Sequence, residues 1–310
     1  MHNTAKAIIS IHGTTLLDEE RKLLQMYSPL GIIVMGRNIE NKAQLSALCQ
    51  DLRQYVPYIL IDQEGGAVRR LRGPEFYDAK DMQYFGTLYD NDPDQAIQAL
   101  RYQTQKVAQD LNDCHINVNC APCLDLQYDH PDADKHVVSF YKRAFHKDPA
   151  IVGPLGEIVC RTFIEAGITP VIKHLPGHGS STGADPHDGV CHVCADLTKD
   201  MIPFQHIVRT KLSVWGMTNH VIYDALDPMQ PTALSLPVVH YIRTHIGFCN
   251  LLMTDAIDMK ALDHMQLKEK VRQALQAGHD AVLYCAGDLV ENQIILDSAQ
   301  VAPISSHEVQ

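Results

Sequence analysis

Tyr58-Ile59-Leu60-Ile61-Asp62-Gln63-Glu64-Gly65-Gly66 runs through four apolar-bodied residues and then turns polar within one step. A short β-rich run without polar alternation suits a strand of a parallel sheet covered on both faces, and the glycine pair ends it. The same form recurs along the chain, giving eight expected strands at 7–12, 31–35, 58–62, 116–120, 169–173, 214–219, 250–254 and 281–285. Helix-like segments separate them at 18–27, 41–55, 94–111, 151–166, 199–210, 237–245 and 267–277. The first opens on Asp18-Glu19-Glu20, as a helix N-terminus prefers. The second carries Leu45, Leu48 and Leu52 at helical spacing, and Gly278 stops the last. Strand and helix alternate without a Ser/Pro/Gly-rich linker or an internal repeat. The spacing therefore predicts α/β architecture, a single-domain (β/α)8 TIM-like barrel over residues 1–300 with a C-terminal tail at 301–310. A doubly wound sheet is the alternative, but no Gly-rich nucleotide loop or switch point marks one.

The 310 residues carry 26 basic and 37 acidic side chains, a formal charge of −11. Such a balance argues against nucleic-acid and anionic-membrane partners, which recruit Lys and Arg. The longest basic cluster, Arg69-Arg70-Leu71-Arg72, is too short for a basic stripe. No apolar run approaches the ~20 residues of a membrane span, and the start is too weakly apolar for a signal-peptide core. A monomeric cytoplasmic protein is expected. The nine cysteines are odd in number and lie mostly in apolar segments, which suits reduced, buried thiols. Cys120/Cys123 and Cys191/Cys194 could together form a four-thiolate zinc site, but a long stretch of chain separates them and strand alternation sends neighbouring thiols in different directions. No metal and no organic cofactor are expected.

Polar groups collect where the apolar runs stop: Asp62 after the third, Lys173-His174 after the fifth, Asn219-His220 after the sixth and Asp255 after the seventh. In a barrel those ends share one rim, where active sites are built. One Asp after a strand is often a helix N-cap, but four such termini are hard to explain by capping. The segment from Lys173 to His187 places three His, one Asp and one Lys within fifteen residues, and its Pro and Gly make it a loop. Asp185 lies two residues from His187, close enough to take an imidazole N–H, fix the tautomer and tune the proton transfer. The competing readings are a metal site and a solvated loop without function. His178 is expected to organise the loop. Asp125 is expected to support a ligand-contacting residue, Asp258 to point away from the site, and Trp215 to be core; His220 is a rim residue that could touch a ligand.

The chain resembles a known family. Ile61-Asp62-Gln63-Glu64-Gly65-Gly66-Ala67-Val68-Arg69-Arg70 is similar to the D-x-E-G-G-x-V-x-R signature of family 3 glycoside hydrolases. Lys173-His174-Leu175-Pro176-Gly177-His178-Gly179 matches its K-H-F-P-G-H-G motif with Leu175 for Phe, and Leu252 to Met259 resembles the stretch holding the nucleophile. The resemblance covers essentially the whole chain and is strongest to bacterial β-N-acetylhexosaminidases of peptidoglycan recycling, the NagZ type. It implies a retaining exo-β-N-acetylglucosaminidase that cleaves GlcNAc from muropeptide-derived fragments by double displacement. Asp255 would be the nucleophile, His187 the acid/base and Asp185 its orienting partner. Asp62, Arg70, Arg143, Lys173 and His174 would hold the sugar, a carbohydrate being the implied partner.

Two departures stand out. Five residues, from Ser180 to Ala184, separate Gly179 from Asp185 where the family has four, and Pro186 replaces a Ser. A displacement of His187 by about an ångström would cost roughly 100-fold in rate. Only about one helix and a tail follow the eighth strand, so the acid/base is expected from the barrel's own loops, unlike two-domain β-glucosidases of the family. Alternatives are another family 3 exo-β-glycosidase such as a β-glucosidase, a phosphorylase, or a catalytically silent sugar-binding or regulatory protein.

Overall fold

Eight parallel strands close into a barrel in the computed structural model, which describes residues 4–128, 137–183, 189–194 and 196–300. They are β1 (Ala5–Ile9), β2 (Pro29–Val34), β3 (Tyr58–Ile61), β4 (Val118–Asn119), β5 (Thr169–Leu175), β6 (Trp215–Thr218), β7 (Leu252–Ala256) and β8 (Ala281–Leu283). Each pairs with the next in the chain, and β8 returns to β1 with Ala7 opposite Val282 and Ile8 opposite Leu283. Among the described residues ten α-helices cover the outside: α1 (Asp18–Tyr27), α2 (Lys42–Leu52), α3 (Met82–Asn91), α4 (Pro93–Asp113), α5 (Val137–Phe140), α6 (Pro149–Glu165), α7 (Thr198–Thr210), α8 (Leu236–Tyr241), α9 (Leu267–Gln276) and α10 (Leu289–Ala299). No helix among the described residues is long and apolar enough to cross a membrane.

Local chemistry explains where these helices start. Side chains of Asn41, Asp81, Asp92, Asp148, Ser235 and Asp288 each accept a backbone N–H in the first turn of the helix they precede. Those groups otherwise have no intrahelical partner, and each cap contributes about 1 kcal/mol. At α1 the Glu20 carboxylate does this work, taking the Leu17 amide at 2.9 Å and the His12 amide at 2.8 Å.

The core has two layers. A ring of Ile8, Ile33, Leu60, Val118, Cys120, Val171, Trp215, Met217, Met253, Ala281 and Leu283 fills the barrel, so every strand contributes. The larger layer lies between strands and helices. Trp215 belongs to the inner ring as expected, packed edge-on against Tyr58 with ring centroids 4.7 Å apart. Both begin their strands, at the end of the barrel opposite the polar rim.

β4 is only two residues long because Pro122 has no N–H to continue a ladder. Its extension is held by single bonds instead: Val171 N–H to Ala121 O, Lys173 N–H to Pro122 O and Leu124 N–H to Lys173 O. Beyond the barrel, Gln63–Gly65 forms a hairpin with Val68–Arg69 after β3. Thr182–Gly183, Cys191–Val193 and Ile222–Tyr223 form a small sheet after β5 and β6. Six of the nine cysteines are buried, and Cys194 is exposed while its C-x-x-C partner Cys191 is not. The expected strands and helices recur with ends shifted by a few residues; α3 and the four-residue α5 are helices the spacing did not predict.

Candidate active site

A cavity of about 770 Å³ opens at the carboxyl ends of the strands, and Asp62, Arg70, Arg143, Lys173, His174 and Asp255 all line it. Asp185 and His187 lie outside the described residues. The loop that leads to them is described as far as Gly183, where Thr182–Gly183 pairs antiparallel with Cys191–Val193.

Two irregularities in the sheet aim the side chains. Lys173 pairs with Met217 but Leu175 pairs with Thr218, so β5 carries one extra residue, His174, against β6. An extra residue breaks the up-and-down alternation, and consecutive Lys173 and His174 both reach the cavity. On β7, Met253 pairs with Ala281 and Ala256 with Leu283, three steps against two. The surplus falls at Thr254 and Asp255, turning Asp255 towards the opening.

The charges form one continuous network. Lys173 Nζ donates to Asp62 Oδ1 at 2.8 Å and lies 2.7 Å from Glu64 Oε1. Arg70 Nη2 donates to the other Asp62 oxygen at 2.9 Å. Arg143 grips Glu64 with two bonds, Nε to Oε2 at 3.0 Å and Nη2 to Oε1 at 2.7 Å. The same Nη2 stands 3.2 Å from His174 Nε2, while His174 Nδ1 is 2.6 Å from Asp125 Oδ2. Arginine only donates and an ionised carboxylate only accepts, so the proton of a neutral His174 belongs on Nδ1. Asp125 also accepts the His178 amide at 2.7 Å.

Burial opposes charge on Asp62, but Lys173 and Arg70 outweigh it and hold the carboxyl well below its usual range. The same contest, won by Arg143 and Lys173, puts Glu64 down to about 2. At Asp255 burial again opposes, and His174, the Ala256 amide and Lys173 prevail, so the carboxyl is lowered and ionised at neutral pH. Burying these ions is costly, and the pairing makes it tolerable; removing one partner of such a pair costs about 3–5 kcal/mol.

Other expectations sort clearly. His178 is buried and holds Ser181 Oγ at 2.9 Å, organising the loop as expected, although it also reaches the cavity. Asp125 sits beneath His174, as expected of a supporting residue. Asp258 differs from expectation: it lines the cavity while accepting the Cys285 amide at 3.1 Å. The turn after β7 folds back over β8, which the spacing does not reveal. His220 is buried and does not line the cavity. Glu64 emerges as the buried partner that locks Lys173 to Arg143, legible beforehand only as part of a signature. Cys123, Asp125 and His174 have ligand atoms within 4.8 Å of one another. Their bonds are already made within the network, and the Arg143 guanidinium beside His174 would repel a cation.

A barrel whose rim combines an ionised carboxylate with fixed cations and acceptors has the make-up of an enzyme active site. The chain belongs to glycosyl hydrolase family 3: residues 6–310 match the family's N-terminal domain. It is 33% identical to a β-hexosaminidase of Nitrosomonas eutropha over 90% of this chain and 80% of that one. It is 31% identical to a β-hexosaminidase of Bordetella avium over 92% of this chain and 83% of that one. Native NagZ from Neisseria gonorrhoeae superposes with a TM-score of 0.83 at 27% identity, covering 96% and 89% of the two chains. A family 3 β-N-acetylglucosaminidase from Paenibacillus sp. gives a TM-score of 0.85 at 27% identity, and this chain spans 56% of that longer one.

Proposed function

We propose that this protein is a cytoplasmic, retaining exo-β-N-acetylglucosaminidase acting on peptidoglycan-derived fragments, with Asp255 as nucleophile. The observation that carries the reading is Asp255 itself, ionised at the end of β7 and open to the same cavity as Asp62, Arg70, Arg143, Lys173 and His174. The similarity to β-hexosaminidases supports an N-acetyl sugar. Sugar hydroxyls donate and accept, and this wall offers both: carboxylate oxygens on Asp62 and N–H groups on Arg70, Arg143 and Lys173.

In the first step an Asp255 oxygen attacks the anomeric carbon as the bond to the leaving oxygen breaks. His187, oriented by Asp185, gives that oxygen its proton. In the second step His187 takes a proton from water, the water oxygen attacks the anomeric carbon, and Asp255 departs. Two inversions return the original configuration. The Ser180 hydroxyl at the root of this loop is bound to Asp200 at 3.1 Å, which ties the start of the loop to α7.

The test is nitrophenol release from β-N-acetylglucosaminide and β-glucoside substrates by the purified protein. The N-acetyl sugar is expected to be clearly preferred, and Asp255→Ala to lower kcat at least about 1,000-fold. Preference for the glucoside would overturn the substrate, and unchanged turnover in Asp255→Ala would overturn the nucleophile.

A further inference from the structure

β6 and β7 pair through Gly216 with Leu252 and Met217 with Met253, and the paired register ends there. The bulged segment carrying Asp255 therefore runs past its neighbour without a backbone ladder on that side. One side chain spans the gap. His220, two residues beyond β6, is fully buried and its Nε2 lies 2.8 Å from the Ala256 carbonyl oxygen. A carbonyl only accepts, so the proton is on Nε2. Nδ1 is buried with no hydrogen-bond partner among the described residues. Burial lowers the ring's affinity for a second proton, although Asp255 and the Ala256 carbonyl pull the other way. The ring is thus a neutral single donor.

That donor acts on the residue that touches the nucleophile. The Ala256 amide donates to Asp255 Oδ1 at 2.8 Å. On the opposite flank Ile257 N–H bonds Leu283 O at 2.9 Å, and Leu283 N–H bonds Thr254 Oγ1 at 3.1 Å. β8 thus holds one side of the bulge and His220 holds the other.

We propose that His220 is a positioning residue: its Nε2–H replaces the missing ladder bond between β6 and β7 and so fixes the Ala256 amide that orients the Asp255 carboxylate. The proposal rests on the reading of Asp255 as nucleophile. An attacking oxygen must meet the anomeric carbon in line, and a misplacement near 1 Å costs about 100-fold in rate. Because His220 does not line the cavity, losing its bond should spare sugar binding.

The experiment compares His220→Leu, His220→Gln and His220→Asn in the full chain, with Asp255→Ala in parallel, on nitrophenyl and dinitrophenyl β-N-acetylglucosaminides. Leu removes the donor, Gln places an amide N–H near the Nε2 position, and Asn is one methylene too short to do so. His220→Leu and His220→Asn are expected to lose about 10- to 100-fold in kcat on both substrates, with KM and inhibition by free GlcNAc within about threefold. His220→Gln is expected to stay within a few-fold of the parent. Retention of kcat in His220→Asn, equal losses in the Gln and Asn variants, or a rise in KM matching the fall in kcat would each overturn the proposal. Should His220→Leu fail to fold, the Gln and Asn pair decides alone. If Asp255→Ala keeps its turnover, the nucleophile reading fails and the proposal with it; if only the His220 variants keep theirs, the nucleophile stands.

Discussion

Asp200, in the first turn of α7, accepts on a single carboxylate oxygen from both the Tyr128 hydroxyl at 3.0 Å and the Ser180 hydroxyl at 3.1 Å. Its other oxygen is buried without a hydrogen-bond partner among the described residues. Gly177 packs against it at φ +136°, where a Cβ would come 2.5 Å from that of Asp200. Burial pushes the Asp200 carboxyl up to about 6, against the two hydroxyls that favour its charge. A raised acid holds its proton longer in the folded chain than in the unfolded one. Its contribution to stability is therefore greatest below pH 4 and falls as pH rises through 6, by an amount on the order of 3 kcal/mol. Asp200→Asn should thus gain stability relative to the parent at pH 7–8 and lose that advantage towards pH 4. Urea midpoints across that range check it, and parallel curves would refute it. Asp200 illustrates how residues divide. Asp62, Lys173, His174 and Asp255 could be read from the sequence because each stops an apolar run. Asp200 and Glu64 could not, because their importance comes from partners remote in the chain: Tyr128 is 72 residues from Asp200, and Arg143 is 79 from Glu64.

Among elements, the end of β6 does more than its four residues suggest. Asn219 Nδ2 donates to the His174 carbonyl at 3.3 Å and to Tyr223 Oη at 2.7 Å, and Tyr223 Oη in turn donates to Gly177 O at 2.6 Å. These bonds tie β6 to the loop leaving β5, just as His220 ties it to β7. Tyr223→Phe leaves the Gly177 carbonyl buried and short of a donor, at about 1–3 kcal/mol. Since Gly177 begins the loop that leads to His187, turnover of a poor leaving group should fall several-fold more than that of dinitrophenol. Equal losses on both substrates would show that the loop root does not serve leaving-group protonation. Element identities were readable from periodicity, and 18–27 matches α1 residue for residue. The bulges in β5 and β7 were not, since an unpaired residue leaves no mark on the hydrophobic pattern.

For the whole molecule, closure brings the first and last strands of the barrel together. Arg37, after β2, donates through Nη2 to Ser10 Oγ at 2.6 Å and to Cys285 O at 2.7 Å, joining the segments that follow β1 and β8. His279, before β8, is wholly buried, with Nδ1 3.0 Å from Ala274 O and Nε2 2.9 Å from Thr218 Oγ1. Burial pulls it down to about 4, despite the Ala274 carbonyl. A depressed base is neutral in the fold and charged when unfolded, so its contribution is complete above pH 6.5 and is lost as pH falls towards 4. His279→Gln should gain in thermal midpoint relative to the parent as pH falls through that window; parallel curves would remove His279 as a contributor. By itself the sequence determined the barrel, its element order and the polar strand ends, because hydrophobic periodicity and capping are local properties of the chain. It also carried the motifs that mark the family. Only the tertiary structure decided which charges neutralise one another, that Asp258 turns into the cavity and that His220 turns away from it. Those outcomes depend on register shifts and on distances between segments far apart in sequence, and no local pattern encodes them.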